Sequence, residues 1–216
     1  MRTPLLLLVA LVLLLAVPAS ASALSTPRWK SSTVTYTDKS KGSLDRGAVQ
    51  IAVKWWNDAP GPLKLVKAKS GTKVNVTFYS VNTSGVDYDG LATYSTDSTG
   101  TFMRTARMDL NDFFLKREDP EYVAEVTAHE LGHALGLPHL RDDCSLMFPS
   151  GSVATRCPTD AGKTRLGSGR YYCGPQRSDV SSLLARYPGK IGSWPGTVCT
   201  GTRPESRGAA SAARHG

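Results

Sequence analysis

At 216 residues, with 40% hydrophobic and 20% charged side chains, the chain is long enough for one sizeable domain with its own core and too ordinary in composition for a disordered or fibrous class. A formal net charge of +8 and a pI near 9.4 raise its attraction to polyanions in general. No block of five basic residues and no nucleic-acid motif accompanies that charge, so no nucleic-acid partner is expected.

Met1 and Arg2 precede an unbroken apolar run from Leu5 to Val17, followed by the small residues Ala19-Ser20-Ala21-Ser22-Ala23. Residues 1–23 therefore read as a secretory signal peptide, too short and too weakly flanked for a stable membrane span. Cleavage after Ala21 and after Ala23 both satisfy the small-residue rule. The mature domain, 24–200, is expected outside the cell as a monomer.

Thr33 to Thr37 is β-branched and aromatic and predicts a first strand. Leu44, Ala48, Ile51, Ala52, Trp55 and Trp56 recur at three and four residues, which predicts a helix over 44–57 with one buried face and both tryptophans in the core. Pro60-Gly61-Pro62 ends it. Leu63 to Val66 and Lys73 to Tyr79 predict a second and a third strand, the latter from its alternation. In the polar stretch that follows, Val86-Asp87-Tyr88-Asp89-Gly90 gathers oxygen ligands suited to calcium; the competing reading is a turn with solvated carboxylates. Leu91 to Tyr94 and Arg107 to Leu110 predict two further short strands. Asp119-Pro120-Glu121 has the signature of a helix start, and Val123, Val126 and Leu131 give that helix an apolar side. Strands and helices mixed in this order predict an α+β domain, a sheet flanked by helices.

That helix opens a stretch that packs three of the chain's four histidines into eleven residues, His129-Glu130-Leu131-Gly132-His133-Ala134-Leu135-Gly136-Leu137-Pro138-His139. His129 and His133 are one turn apart on one face and reach a common ion. Gly136 tolerates a left-handed turn and Pro138 cannot continue the helix, so the chain doubles back and His139 joins them. Three neutral imidazoles make an open zinc site whose fourth position is left to water, and Glu130 is the carboxylate placed to take that water's proton. The alternative for the pattern is a set of surface or core histidines; a glycine and a third histidine at fixed further steps make it much more specific than the bare two-histidine motif.

Beyond the motif, Met147 sits in Cys144-Ser145-Leu146-Met147-Phe148-Pro149-Ser150, a segment that returns toward the metal site. Cys144, Cys157, Cys173 and Cys199 make an even count with no C-x-x-C spacing, which predicts two disulfides in an oxidising compartment. Three pairings are open; loop closure favours Cys144 with Cys157 and Cys173 with Cys199. Residues 159–174 predict an exposed loop, Ser178 an N-cap for a last helix over 179–187, and 201–216 a disordered tail, which excludes His215 as a ligand.

The extended histidine motif with its later methionine resembles the metzincin zinc endopeptidases, and the matrixin branch in particular. The interval from His139 to Met147 and the Leu-Met-aromatic-Pro ending are similar to the matrixin third ligand and Met-turn. Pro27-Arg28-Trp29-Lys30 with Val34-Thr35-Tyr36 resembles the matrixin first strand, and Asp89-Gly90-Leu91-Ala92 its edge strand. This resemblance, over residues 27–187, implies a metzincin-type fold: a twisted, mostly parallel sheet, a zinc-binding helix, a Met-turn and a C-terminal helix. It implies that His129, His133 and His139 bind catalytic zinc, that Glu130 is the general base, and that Met147 floors the metal. It implies as well that a protein or peptide substrate pairs with the strand at Leu91 and Ala92, with Phe148 and Pro149 walling the pocket past the cut bond. Two parts of the matrixin pattern are missing: no cysteine precedes Cys144 to act as a switch, and no histidine precedes His129 to hold a second zinc. The small bacterial snapalysins are similarly compact, with a disulfide around the Met-turn, but carry aspartate as third ligand. The rival from another class is a non-catalytic, zinc-stabilised secreted protein that binds acidic surfaces. The intact Glu130 argues against it, because a structural site closes its fourth position and has no use for a base.

Overall fold

A computed structural model describes residues 26–142, 145–149, 170–189 and 199–203. Residues 1–25, on which the signal-peptide expectation falls, lie outside them, as do Cys144, Cys157 and the tail beyond 203. Strand β1 (Thr33–Lys39) leads into helix α1 (Gly42–Asp58), β2 (Lys64–Lys67) and β3 (Val76–Val81). Strands β4 (Gly90–Thr96) and β5 (Met103–Asn111) follow, then the short helix α2 (Asp112–Leu115) and the longer α3 (Pro120–Ala134). Past the histidine loop come β6 (Arg170–Cys173), α4 (Arg177–Leu184) and β7 (Cys199–Arg203).

Five strands form one sheet in the order β2-β1-β3-β5-β4. β1 pairs in parallel with β2 and β3, β3 pairs in parallel with β5, and β4 alone runs antiparallel, against β5. The fold is thus the α+β arrangement of a mostly parallel sheet with flanking helices. The parallel neighbours β1 and β2 are joined through α1, the crossover that such a pair requires. Asn57, at the end of α1, sets where β2 begins: its amide donates to the Leu65 carbonyl (2.9 Å) and accepts from the Leu65 N–H (2.8 Å).

α1 buries a wider arc than its spacing predicts. Val49 and Val53 are buried along with Ala48, Ala52, Trp55 and Trp56, while Ile51 is only half-buried. Trp56 explains the width, since α1 touches α3 as well as the sheet: its indole N–H donates to the mid-helix carbonyl of Ala128 (2.8 Å). Phe78, Met108 and Leu110 from the sheet and Tyr122, Val123 and Leu131 from α3 complete the core.

Two polar fastenings place β4 beside α3. The Asn111 side chain, fully buried, donates to the carbonyls of Thr83 (3.0 Å) and Tyr88 (3.1 Å) and accepts from the Thr83 N–H (3.1 Å), closing the loop that leads into β4. The Tyr122 hydroxyl of α3 donates to Asp89 (2.7 Å) at the start of the same strand. Asp89 is therefore turned inward against α3, away from the oxygen cage expected for calcium.

Three elements go beyond the sequence expectations. α2 was hidden because four residues are too few to show periodicity. β6 falls in the expected exposed loop and pairs antiparallel with β7, whose residues Gly201 to Arg203 enter the expected tail. The last helix starts at an N-cap of Gln176 rather than Ser178, because the Asp179 carboxylate turns back to accept the Gln176 N–H (2.7 Å).

Candidate active site

α3 opens with Pro120 at its first position and Glu121 in its first turn, both suited to a helix N-terminus. It stops at Ala134, and Gly136 takes φ +94°, a conformation that a side chain resists. A Cβ there would also lie 2.6 Å from the Pro27 carbonyl oxygen. The turn sends the chain back over the helix face. His129, His133 and His139 come together with ring centroids 4.9, 5.3 and 4.7 Å apart, and their ligand atoms all lie within 4.8 Å of one another.

The two helix histidines are held in one tautomer. His129 Nδ1 is 2.6 Å from the Leu146 carbonyl oxygen and His133 Nδ1 is 2.8 Å from that of Leu137. A carbonyl only accepts, so each Nδ1 carries the proton and each Nε2 keeps its lone pair for a metal. Burial lowers the His133 pKa below the ordinary value, opposed by the Leu137 carbonyl and helped by neighbouring His139. Three clustered imidazoles, two of them with Nδ1 tied to a backbone carbonyl, are a donor set that suits zinc. Among the described residues this is the one group of three or more His, Cys, Asp or Glu side chains close enough to share an ion, and Asp87 and Asp89 form no such group.

Glu130 faces the sheet from the next position on α3. Its Oε2 accepts the backbone N–H of Ala92 on β4 (2.8 Å), and burial pushes the carboxyl up to about 7 while that N–H pulls the other way. The residue expected to line the substrate strand thus also orients the expected base. Leu91 is exposed beside it, and Phe148 and Pro149 are half-buried just past the methionine.

Met147 is fully buried, and its neighbour across the packing is Gly132 of the histidine motif. A Cβ at Gly132 would overlap the Met147 sulfur and lie 3.0 Å from the Trp56 ring, so a side chain between His129 and His133 would have to displace Met147. The Met147 turn hangs from Asp179 on α4. That buried carboxylate accepts the Leu146 N–H (2.9 Å), the Met147 N–H (3.3 Å) and the Ser145 hydroxyl (2.5 Å). Burial raises its pKa, and those three donors and the Gln176 N–H oppose the rise. Asp179 was invisible as a site residue in the sequence, where only its place near a helix start shows. Yet it holds the segment whose Leu146 carbonyl orients His129.

A matrixin family profile matches residues 28–160, well over half the chain and all four residues of the histidine and glutamate cluster. Human (Homo sapiens) matrix metalloproteinase-20 is 31% identical over 136 residues, 57% of this chain and 28% of that protein. Interstitial collagenase of Sus scrofa is 29% identical over 136 residues, again 57% and 28%. The extracellular small neutral protease of Streptomyces caespitosus is 28% identical over 128 residues, 58% of this chain and 83% of that protein. The chain thus spans little more than a quarter of the two mammalian relatives and most of the bacterial one. Among solved structures, myroilysin aligns at a TM-score of 0.48 and 15% identity, covering 76% of this chain and 97% of that chain. The chain belongs to the matrixin family of zinc-dependent endopeptidases.

Proposed function

We propose that the chain is a secreted zinc endopeptidase in which His129, His133 and His139 hold the metal and Glu130 moves the proton. One observation carries this reading: the Glu130 carboxylate, next to the three histidines, is fixed by the N–H of an exposed edge strand, so base, metal ligands and a docking place for a peptide share one side of the molecule. Zinc, when bound, supplies a Lewis acid that polarises the scissile carbonyl and makes water more acidic.

The chain's own residues do the rest. Ala92 anchors Oε2, which leaves Oε1 of Glu130 to take a proton from the attacking water. As the water oxygen bonds to the carbonyl carbon and the C–N bond breaks, Glu130 passes that proton to the departing amine nitrogen. The base ends as it began. Because the Ala92 N–H points away from β5, the alternation of an antiparallel ladder turns the Ala92 carbonyl and the Tyr94 N–H and carbonyl outward too. Those groups face outward, where an extended peptide would bond them by strand addition. Met147 gives the histidines a rigid, apolar floor, and Phe148 and Pro149 flank the pocket beyond it.

Secretion follows from the signal peptide at 1–23. Cys173 and Cys199 are direct register partners between β6 and β7, and cross-strand partners have the Cα spacing that a disulfide needs, which supports the pairing of these two. The reading is tested by purifying residues 24–216, measuring zinc per chain, and mapping cleavage of a peptide library by mass spectrometry beside Glu130→Ala. One zinc per chain, internal cleavage by the wild type and a loss of about a thousandfold in the variant is the expected result; cleavage at the wild-type rate in the variant removes Glu130 from the mechanism.

A further inference from the structure

The end of α3 has more carbonyls than its own backbone can satisfy. Every α-helix leaves its last carbonyls without an intrahelical donor. Here the Leu137 N–H reaches the Gly132 carbonyl (3.0 Å) and the Gly136 N–H that of His133 (2.9 Å), a complete Schellman motif around the left-handed Gly136. No donor within that motif remains for Ala134, Leu135 or Gly136. All three are met from outside. The Trp29 indole N–H donates to Ala134 (2.8 Å), the Tyr187 hydroxyl to Leu135 (2.8 Å) and the Thr26 hydroxyl to Gly136. The next carbonyl, Leu137, is the one that fixes His133.

We infer that Trp29 and Tyr187 are positioning residues for the metal site, clamping the turn between His133 and His139 so that the Leu137 carbonyl stays under His133 Nδ1 and His139 stays on the same point. This rests on the reading of the three histidines as a zinc site. Trp29 and Tyr187 act as one unit, because the Tyr187 hydroxyl also accepts the Trp29 backbone N–H (3.0 Å). Both side chains are buried, at 3% exposure each, so the carbonyls they serve have no water to replace them. The hydroxyl is a dependable donor: burial pushes its pKa up to about 12, opposed by the Trp29 N–H and by Arg186 and Arg28. Arg186 adds a strap, donating to the Thr26 carbonyl (2.9 Å).

Helix α4 with its following turn thereby holds both loops that orient the helix histidines. Asp179 near its start holds the segment whose Leu146 carbonyl faces His129, and Tyr187 past its end holds the turn whose Leu137 carbonyl faces His133. An ordinary core tyrosine contributes stability alone. A clamp in this place also sets zinc affinity, since outer partners of ligating histidines are worth about 10–100-fold in metal binding.

The test compares the full mature chain with Tyr187→Phe, which keeps the ring and deletes the hydroxyl. Zinc affinity is measured by chelator competition, and the His133 tautomer by ring ¹⁵N shifts in the metal-free chain. The expected result is a loss of about tenfold in zinc affinity together with a His133 signal moved from pure Nδ1–H toward a tautomer mixture. Leu183→Ala, on α4 and in the same core, is the comparison: it lowers the melting temperature and leaves zinc affinity and the His133 shifts alone. Tyr187→Phe that melts earlier with unchanged affinity and shifts overturns the clamp, as does an equal affinity loss in Leu183→Ala. If Tyr187→Phe does not fold, Trp29→Phe, which deletes the donor to Ala134, is held to the same two outcomes. A wild-type chain that binds no zinc overturns the reading of the site itself, a result distinct from either.

Discussion

The two edges of the five-stranded sheet are built to opposite ends. β2 is four residues long, Lys64-Leu65-Val66-Lys67, with a lysine at each end. Its one outward N–H before the final residue, that of Leu65, is already bonded to Asn57. β4 is seven residues long, Gly90-Leu91-Ala92-Thr93-Tyr94-Ser95-Thr96, and carries no charge at all. Short, charged edges are how soluble proteins avoid pairing with other chains, and a longer neutral edge invites it. Only the inviting edge lies beside Glu130. The difference teaches that the edge which invites strand pairing is the one beside the carboxylate and the histidines, as the proposed function requires.

The largest expected effect removes what makes the open edge productive. Stripping zinc with a chelator abolishes peptide cleavage, and it also lowers stability, by about 4 kcal/mol if free zinc stood at about a thousand times its dissociation constant. Cleavage that survives complete metal removal, measured with zinc content in the same sample, breaks the link between β4 and the histidine cluster. Next comes Glu130→Ala, expected to cut kcat by about a thousandfold while zinc content stays at the wild-type value.

Ala92→Pro attacks the edge itself. The Ala92 N–H faces Glu130 and not β5, so proline spares the ladder but strips the carboxylate of its donor. A fall of about ten- to a hundredfold in kcat/KM is expected, comparable to other losses of a positioning hydrogen bond at a catalytic group. On the far edge, the Lys64 and Ala68 N–H groups point inward to β1, which turns the Lys67 N–H outward. Lys67→Pro should therefore leave kcat/KM unchanged, and an equal fall there would show that the two edges do not differ in the way their residues suggest. The smallest effect is a charge: Tyr94→Lys gives β4 the signature of β2 and should raise KM about fivefold, the equivalent of about 1 kcal/mol of lost cross-strand contact, with kcat held. Steady-state kinetics on one fluorogenic peptide separates the two terms.

Much of this molecule is local information. The i, i+4 spacing of His129 and His133, the glycine that lets the helix end, the alternation in β3 and the apolar stripe of α1 are all patterns within a few residues, and such patterns point to helices, strands and a candidate ligand set without any tertiary information. His139 belongs with them in part, because a helix stopped at Gly136 can turn back over its own face, while the distant donors to the turn fix where it goes. Tertiary structure decided what holds that set in place. The carbonyls of Leu146 and Leu137 that choose the tautomers, the Asp179 carboxylate 33 residues along the chain from Leu146, and the Trp29 indole 105 residues from the Ala134 carbonyl it serves have no common period in the sequence. Their partners are set by how the sheet, α1, α3 and α4 pack. Ala92 stands between the two kinds: its strand is legible from residue type, but that its N–H meets Glu130 depends on β4 being the edge strand next to α3. Ligand identity is written in spacing, whereas ligand orientation is written in burial, where an unmet carbonyl costs enough to fix which distant donor must meet it.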